Sequence, residues 1–280
     1  MALGSPDAES IDLEKRRYRQ RRANEALSRR NSITLASTWS PVGVAGSGAS
    51  AGSSAENIQV ASWDHALGEE PSTAGRSLSV YGRALLGSGS RNRYGETLGT
   101  GIGLRYKPFG ELNLNLYGEL YSEGQLKSQA GQSRDEGVDV DFLLRASASL
   151  FDQGEYRNDW RTDQSNWNER SLYLDAAWWT KRGEHQLLAR YQQGRAYKLP
   201  FAGAQTLMPY AMLQLTSQET DDWREDLRTG LGVRWQLWSH DDRYTAYRGR
   251  LSMRLEYQQA LGGTLYGGEN GWLSALEWNF

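Results

Sequence analysis

Cysteine is absent from this 280-residue chain, so neither a disulfide framework nor a thiolate metal site can form. Histidine is nearly as scarce, with three, and a zinc cluster is not expected. Proline occurs only six times. No run of about 18 apolar residues is present, which excludes a membrane-crossing helix. Neither sign of charge prevails: 32 basic residues face 34 acidic ones, for a net charge of -2. Nucleic acid is therefore not an expected partner. What is abundant is glycine, with 31, and aromatic side chains, with 11 Trp and 15 Tyr. A chain so rich in aromatics is not disordered throughout. Its mean hydropathy of -0.71 is polar. That does not exclude a membrane protein, because a barrel strand shows lipid only every second residue.

An N-terminal segment, 1–31, stands apart from the rest, 32–280. Residues 1 to 10 carry no basic region followed by an apolar one, so no signal peptide is visible. If the protein is exported, the expectation is a fragment, a mature form or a mis-called start. Residues 12 to 30 contain no Gly or Pro after a capping Asp12, which predicts a helix. The helix carries a basic cluster that includes Lys15, Arg16, Arg17, Arg19, Arg21 and Arg22. Two readings stand: a solvated face ending a longer helical region, or contact with phosphate or anionic lipid.

From Ser32 onward the hydrophobic period is two. In Glu111 to Tyr121, Leu112, Leu114, Leu116 and Leu120 share one face, and Asn113, Asn115, Tyr117, Glu119 and Tyr121 the other. Similar alternation predicts about twelve strands, near 32–40, 57–66, 76–87, 94–107, 111–122, 138–150, 170–181, 185–196, 205–217, 227–238, 247–260 and 270–280. Turn-rich stretches separate them, including Gly46 to Ser54, Lys107 to Gly110 and Gly124 to Gly137.

Alternation alone does not distinguish a sandwich from a barrel. Three features favour an antiparallel transmembrane β-barrel of about twelve strands. The polar faces carry charged groups in mid-strand: Arg105, Glu119, Asp141, Arg145, Arg190, Arg234, Arg254 and Glu256. Trp and Tyr recur near strand ends, at Tyr106, Tyr121, Trp178, Trp238, Tyr257 and Trp278, as in interfacial girdles. The chain ends ENGWLSALEWNF, with Trp272, Leu276, Trp278 and Phe280 on one face, which resembles the terminal β-signal of bacterial outer-membrane proteins. One feature runs against the pattern. The connection on the side of the termini, Phe151 to Asn168, is long, and the opposite turn near Lys181 to Glu184 is short.

The stretch RYGETLGTGIGLRYKPFGELNLNLYGELY (Arg93 to Tyr121) resembles the C-terminal domain of the bacteriophage N4 adsorption protein A family. So do DFLLRASASL (Asp141 to Leu150) and DWRTDQSNWNERSLYLDAAWW (Asp159 to Trp179), and the likeness runs from about Ser77 to the terminus. The resemblance implies an outer-membrane protein in contact with membrane lipid, with tetratricopeptide repeats upstream in the periplasm. It implies a receptor for a phage tail protein and a role in exopolysaccharide export beside an inner-membrane glycosyltransferase. This chain has no room for several such repeats.

No motif calls for a cofactor or an enzymatic role. His65, His185 and His240 are scattered, and Ser239-His240 are chain neighbours whose side chains are expected to point apart. Asp139 and Asp141 share a strand face with Arg145, which suggests an ion-pair network rather than an acid–base pair. Gly99 to Gly103 imitates a dinucleotide loop but lies within a strand. Trp160 to Trp167 (WRTDQSNW) combines rings with polar groups, as sugar sites do; it reads as a packed, aromatic-anchored turn or as the lining of a polysaccharide path. In the barrel reading the pore is lined by Arg105, Arg145, Arg190, Arg234 and Arg254 against Glu119, Asp141, Glu256 and Glu277, either open or paired shut. The rival readings are a soluble carbohydrate-binding β-protein and a membrane-embedded lipid hydrolase.

Overall fold

A computed structural model describes residues 8–44, 56–69, 71–88, 97–125, 139–153, 160–161, 163–219 and 223–280. One helix, α1 (Ala8–Ser28), precedes twelve strands. The first six are β1 (Asn31–Trp39), β2 (Asn57–Ala66), β3 (Ser77–Ser88), β4 (Thr97–Lys107), β5 (Asn113–Gln125) and β6 (Asp139–Gln153). The rest are β7 (Asn166–Trp179), β8 (Glu184–Lys198), β9 (Ala204–Glu219), β10 (Trp223–Ser239), β11 (Gly249–Gly263) and β12 (Gly271–Asn279). Each pairs with its chain neighbours, and β1 pairs antiparallel with β12 to close the barrel. The expected elements are all present, with ends shifted by four residues or fewer. The largest shifts lengthen strands past their apolar stretch. Asn166 still pairs with Tyr197, and Trp223 with Glu219, because the backbone ladder continues above the band that periodicity detects. The expected turn at Gly46 to Ser54, and most of that at Gly124 to Gly137, lie outside the described residues.

The wall has two faces. The more apolar side of most strands points out: Leu231 is 72% exposed and Ile102 61%, with Leu120 and Leu255 also open. Exposed apolar rows on strand after strand suit hydrocarbon and not water. This rules against the soluble rival, and the fold is a membrane-spanning barrel. Tyr106, Trp178, Tyr257 and Trp278 are outward and exposed, as a girdle requires. Tyr121 and Trp238 are a correction to that expectation. Tyr121 is buried with Leu143 and Trp179, and Trp238 is buried on the Arg234 side of β10. Their parity on the strand, not their nearness to its end, decides which medium they meet.

The start of β1 and the end of β12 lie at one end, here called proximal. Phe280 completes the seam, its N–H and C=O bonded to the C=O and N–H of Ile33. The β6–β7 connection at this end is long, and the opposite β7–β8 turn is only 180–183, so the unusual loop lengths are real.

Candidate functional site in the barrel lumen

Two buried carboxylates organise the lumen in the same way. Glu119 on β5 is 1% exposed and takes hydrogen bonds from Arg83 Nε at 2.8 Å and Tyr81 Oη at 2.5 Å, both on β3. The intervening strand is bridged because β4 carries glycine facing inward. A Cβ at Gly101 would lie 1.6 Å from Glu119 Oε1, and one at Gly99 2.3 Å from Tyr121 Oη. The GTGIG stretch is thus a groove for side chains from β5. Across the lumen, Glu256 on β11 receives Arg190 Nη2 from β8 at 2.6 Å and Tyr210 Oη from β9 at 2.7 Å. Here Gly232 on β10 makes the room: its Cβ would meet the Tyr210 ring at 2.7 Å.

Further pairs continue the network. Arg145 on β6 meets Asp175 on β7, 2.5 Å away, with Tyr173 Oη donating to the same carboxylate at 2.6 Å. Arg228 and Asp226 are 2.5 Å apart, Arg250 and Glu277 3.0 Å, and Arg105 and Asp64 3.2 Å. Arg234 reaches from β10 to Glu169 on β7. Asp141 behaves differently from the expected partnership with Arg145. It accepts the backbone N–H of Lys181 at 2.8 Å and Arg182 Nε at 3.2 Å, so it fastens the short distal turn. The side chain of Asp139 lies outside the described residues. Arg254 faces the same lumen space as Arg105, Arg145, Arg190 and Arg234.

These groups surround a chamber of about 630 Å³. Its lining extends from Lys107 and Asn279 at the proximal end to Gly43 and Tyr266 in the distal connections. Apolar clusters fill other parts of the interior. One contains Leu85, Tyr121, Leu143 and Trp179, the other Trp167, Met208, Tyr210 and Met212.

The proximal mouth is crossed by α1. The helix leads directly into β1, beside the seam with β12, yet Lys15 Nζ lies 2.9 Å from Asp163 in the β6–β7 connection. In a closed ring of twelve strands that connection is opposite the seam, so the helix spans the opening. Arg21 meets Asp241 at 2.6 Å and Asn24 donates to the Tyr244 carbonyl at 3.0 Å on the way. Trp160 lies beneath, its ring centroid 5.4 Å from that of Trp238 and 6.1 Å from Tyr247, with Lys198 Nζ 4.5 Å from its centre. Trp167 is buried in the second apolar cluster, with the Arg161 guanidinium over its ring. Protein groups thus pack against both tryptophan rings. Two of the six basic side chains of α1, Lys15 and Arg21, pair with acids of the barrel, while Arg16 and Arg22 pair within the helix. Lys15, by hydrogen bonding, holds the Asp163 carboxyl below its ordinary range. Asp242 is held low by bonds from Thr245 and the Tyr244 N–H.

The histidines form no catalytic cluster among the described residues. His185 stacks on Trp178 and lies 2.9 Å from Glu219; His65 bonds Asn31 at 2.9 Å. His240 corrects the expectation that neighbours diverge. Its φ of 62° turns the ring back, leaving Nδ1 3.0 Å from Ser239 Oγ. A hydrolase would add a carboxylate to orient the ring. Here Asp241 is engaged by Arg21, and Asp242 caps the amides of Tyr244 and Thr245.

Sequence reasoning missed Tyr81, Arg83, Glu169, Asp175 and the Asp226–Arg228 pair. Their signal was strand parity: each shares its face with an interior residue. The inward glycines of β4 and β10 mark where a long side chain from a neighbouring strand must pass.

Residues 92–275 match the family described as bacteriophage N adsorption protein A, C-terminal. A curated relative, bacteriophage adsorption protein A of Escherichia coli, is 30% identical over 213 residues. That match covers 75% of this chain and 20% of the relative, so the chain spans about a fifth of the relative's length. Among solved structures, an outer membrane channel from Pseudomonas putida aligns over 91% of this chain and 96% of its own, at 14% identity and a TM-score of 0.43. The β domain of the Bordetella autotransporter BrkA aligns over 90% and 98%, at 13% identity and the same TM-score. On the strength of the family match and the E. coli relative, this chain belongs to the family of the C-terminal domain of bacteriophage adsorption protein A.

Proposed function

We propose that the chain is an outer-membrane barrel with two uses: its distal rim is the landing surface for a phage tail protein, and its lumen conducts an exopolysaccharide. Its role is passive, and an inner-membrane glycosyltransferase supplies the polymer. One observation supports this reading most directly: a chain of the adsorption-protein family closes into a barrel whose outer face is apolar and whose interior is charged. The chamber adds support for passage, since its lining touches both ends of the barrel. In this arrangement the termini and α1 face the periplasm, and the connections before β2, β4, β6, β8, β10 and β12 face outward.

The experiment is phage adsorption to cells carrying the gene, lacking it, or carrying versions with the distal connections replaced one at a time by Gly-Ser linkers. Heat-modifiable gel migration verifies that each version still forms a barrel. Loss of adsorption on replacing at least one connection is expected. Full adsorption by the deletion strain refutes the receptor role. For passage, replacing Asn115 and Ser252 of the chamber lining with Trp is expected to reduce polymer secretion, and unchanged secretion removes the chamber from the path.

A further inference from the structure

The chamber wall is sorted by charge. Among the described residues, nine basic side chains face the space and two acidic ones do, Asp64 and Glu277. The carboxylates that balance the arginines sit behind them against the wall: Glu119, Asp175 and Glu256 are buried and absent from the lining. The lumen as a whole is near neutral, yet the surface offered to a ligand is cationic. Arg234 sharpens the point. It is 2% exposed, and Glu169 and Met208 Sδ are met by its Nη2 alone. Its Nε and Nη1 have no hydrogen-bond partner among the described residues. Guanidinium donors in this state match the fork of an oxyanion. Beside the cations stand neutral hydrogen-bonding groups, Asn113, Asn115 and Ser147, and the volume falls within the range of about 300–1,000 Å³ used by small-molecule sites.

We propose that the chamber binds an anionic saccharide. Arg105, Arg234 and Arg254 hold its carboxylate or phosphate, while Asn113, Asn115 and Ser147 take its hydroxyls. This rests on the conduit reading above and adds to it the charge of the cargo. The test is calorimetric titration of the full chain, folded in detergent, with tetragalacturonate, maltotetraose and inorganic phosphate. Tetragalacturonate is expected to bind at least tenfold more tightly than maltotetraose and to weaken as salt rises. The double variant Arg105→Gln/Arg254→Gln is expected to weaken it tenfold or more, and the corresponding Lys pair to retain it. Should the Gln pair fail the gel-migration check, Lys107→Gln at the proximal end of the chamber makes the same test. Equal binding of the neutral sugar overturns the proposal, as does binding that survives loss of the cations. Complete displacement by equimolar inorganic phosphate overturns the saccharide assignment. Phage adsorption by the same variants is expected to be unchanged, so failure of this inference and failure of the receptor reading are separately visible.

Discussion

Gly101→Ala tests the construction of the lumen at one atom. An added Cβ would lie 1.6 Å from Glu119 Oε1 and 2.5 Å from Cδ, whereas ordinary contact begins near 3.4 Å. The carboxylate must therefore retreat by about 2 Å. A retreat of that size breaks the 2.8 Å contact with Arg83 and the 2.5 Å contact with Tyr81. Breaking a buried ion pair costs about 3–5 kcal/mol, because a charge is left without compensation. Some relaxation of a flexible side chain is available, so about 3 kcal/mol is expected. Gly82→Ala on neighbouring β3 is the control: its nearest atom is 3.8 Å away, and relief of glycine's backbone freedom should stabilise the barrel by about 0.5 kcal/mol. The decisive comparison is the cycle with Glu119→Ala. Once the carboxylate is gone, the new methyl has nothing to displace, so the double variant should be no less stable than Glu119→Ala alone. Urea unfolding in detergent, followed by gel migration and tryptophan fluorescence, measures each corner. Additive penalties at Gly101 and Glu119 would refute the account, since groups that do not interact add.

Gly232→Ala should cost about 2 kcal/mol in the same assay by driving Tyr210 off Glu256, a milder loss because overpacking usually costs about 1–3 kcal/mol. Leu231→Arg, at the most exposed of the outward leucines, should cost about 2–4 kcal/mol in lipid vesicles if that residue sits near the bilayer midplane; a neutral result would remove the outer face from hydrocarbon. Deleting residues 8–28 should raise single-channel conductance in planar bilayers, and equal conductance would show that α1 does not restrict the mouth. The Lys15–Asp163 link depends on pH in a set direction. Because the folded carboxyl sits below its ordinary value of 3.8, its contribution is complete above that value and lost as pH falls through the folded pKa. A spin label on α1 should gain mobility over that acid range and not between pH 5 and 8; a Lys15→Gln variant should be mobile throughout.

Much of the fold was legible because a strand between lipid and a charged interior writes its two environments into alternate residues. Leu114 and Glu119, or Leu231 and Arg234, cannot exchange faces without placing charge in hydrocarbon. Strand ends were less legible, since Asn166 and Trp223 pair through backbone atoms that carry no hydrophobic signal. Ion-pair partners were hidden for a different reason. Parity shows that Arg145 and Asp141 point inward, but the register of β6 on β7 sets Arg145 diagonal to Asp175, and the β7–β8 turn brings Arg182 to Asp141. The lid at the mouth was also hidden: the basic run of α1 reads as a generic solvated face until Asp163 and Asp241, over a hundred residues away in the chain, are brought beneath it.

The bridging of a strand by its neighbours' side chains has a consequence for assembly. Glu119 is neutralised from β3 across β4, and Glu256 from β8 and β9 across β10. No isolated hairpin contains both halves of either arrangement. A hairpin carrying Glu119 or Glu256 and threaded alone into a bilayer would take that carboxylate into oil without its arginine, so entry by successive hairpins is penalised at those steps. The wall must reach near-complete curvature while its polar side is still wet, and only then can it leave water as one electrically finished body.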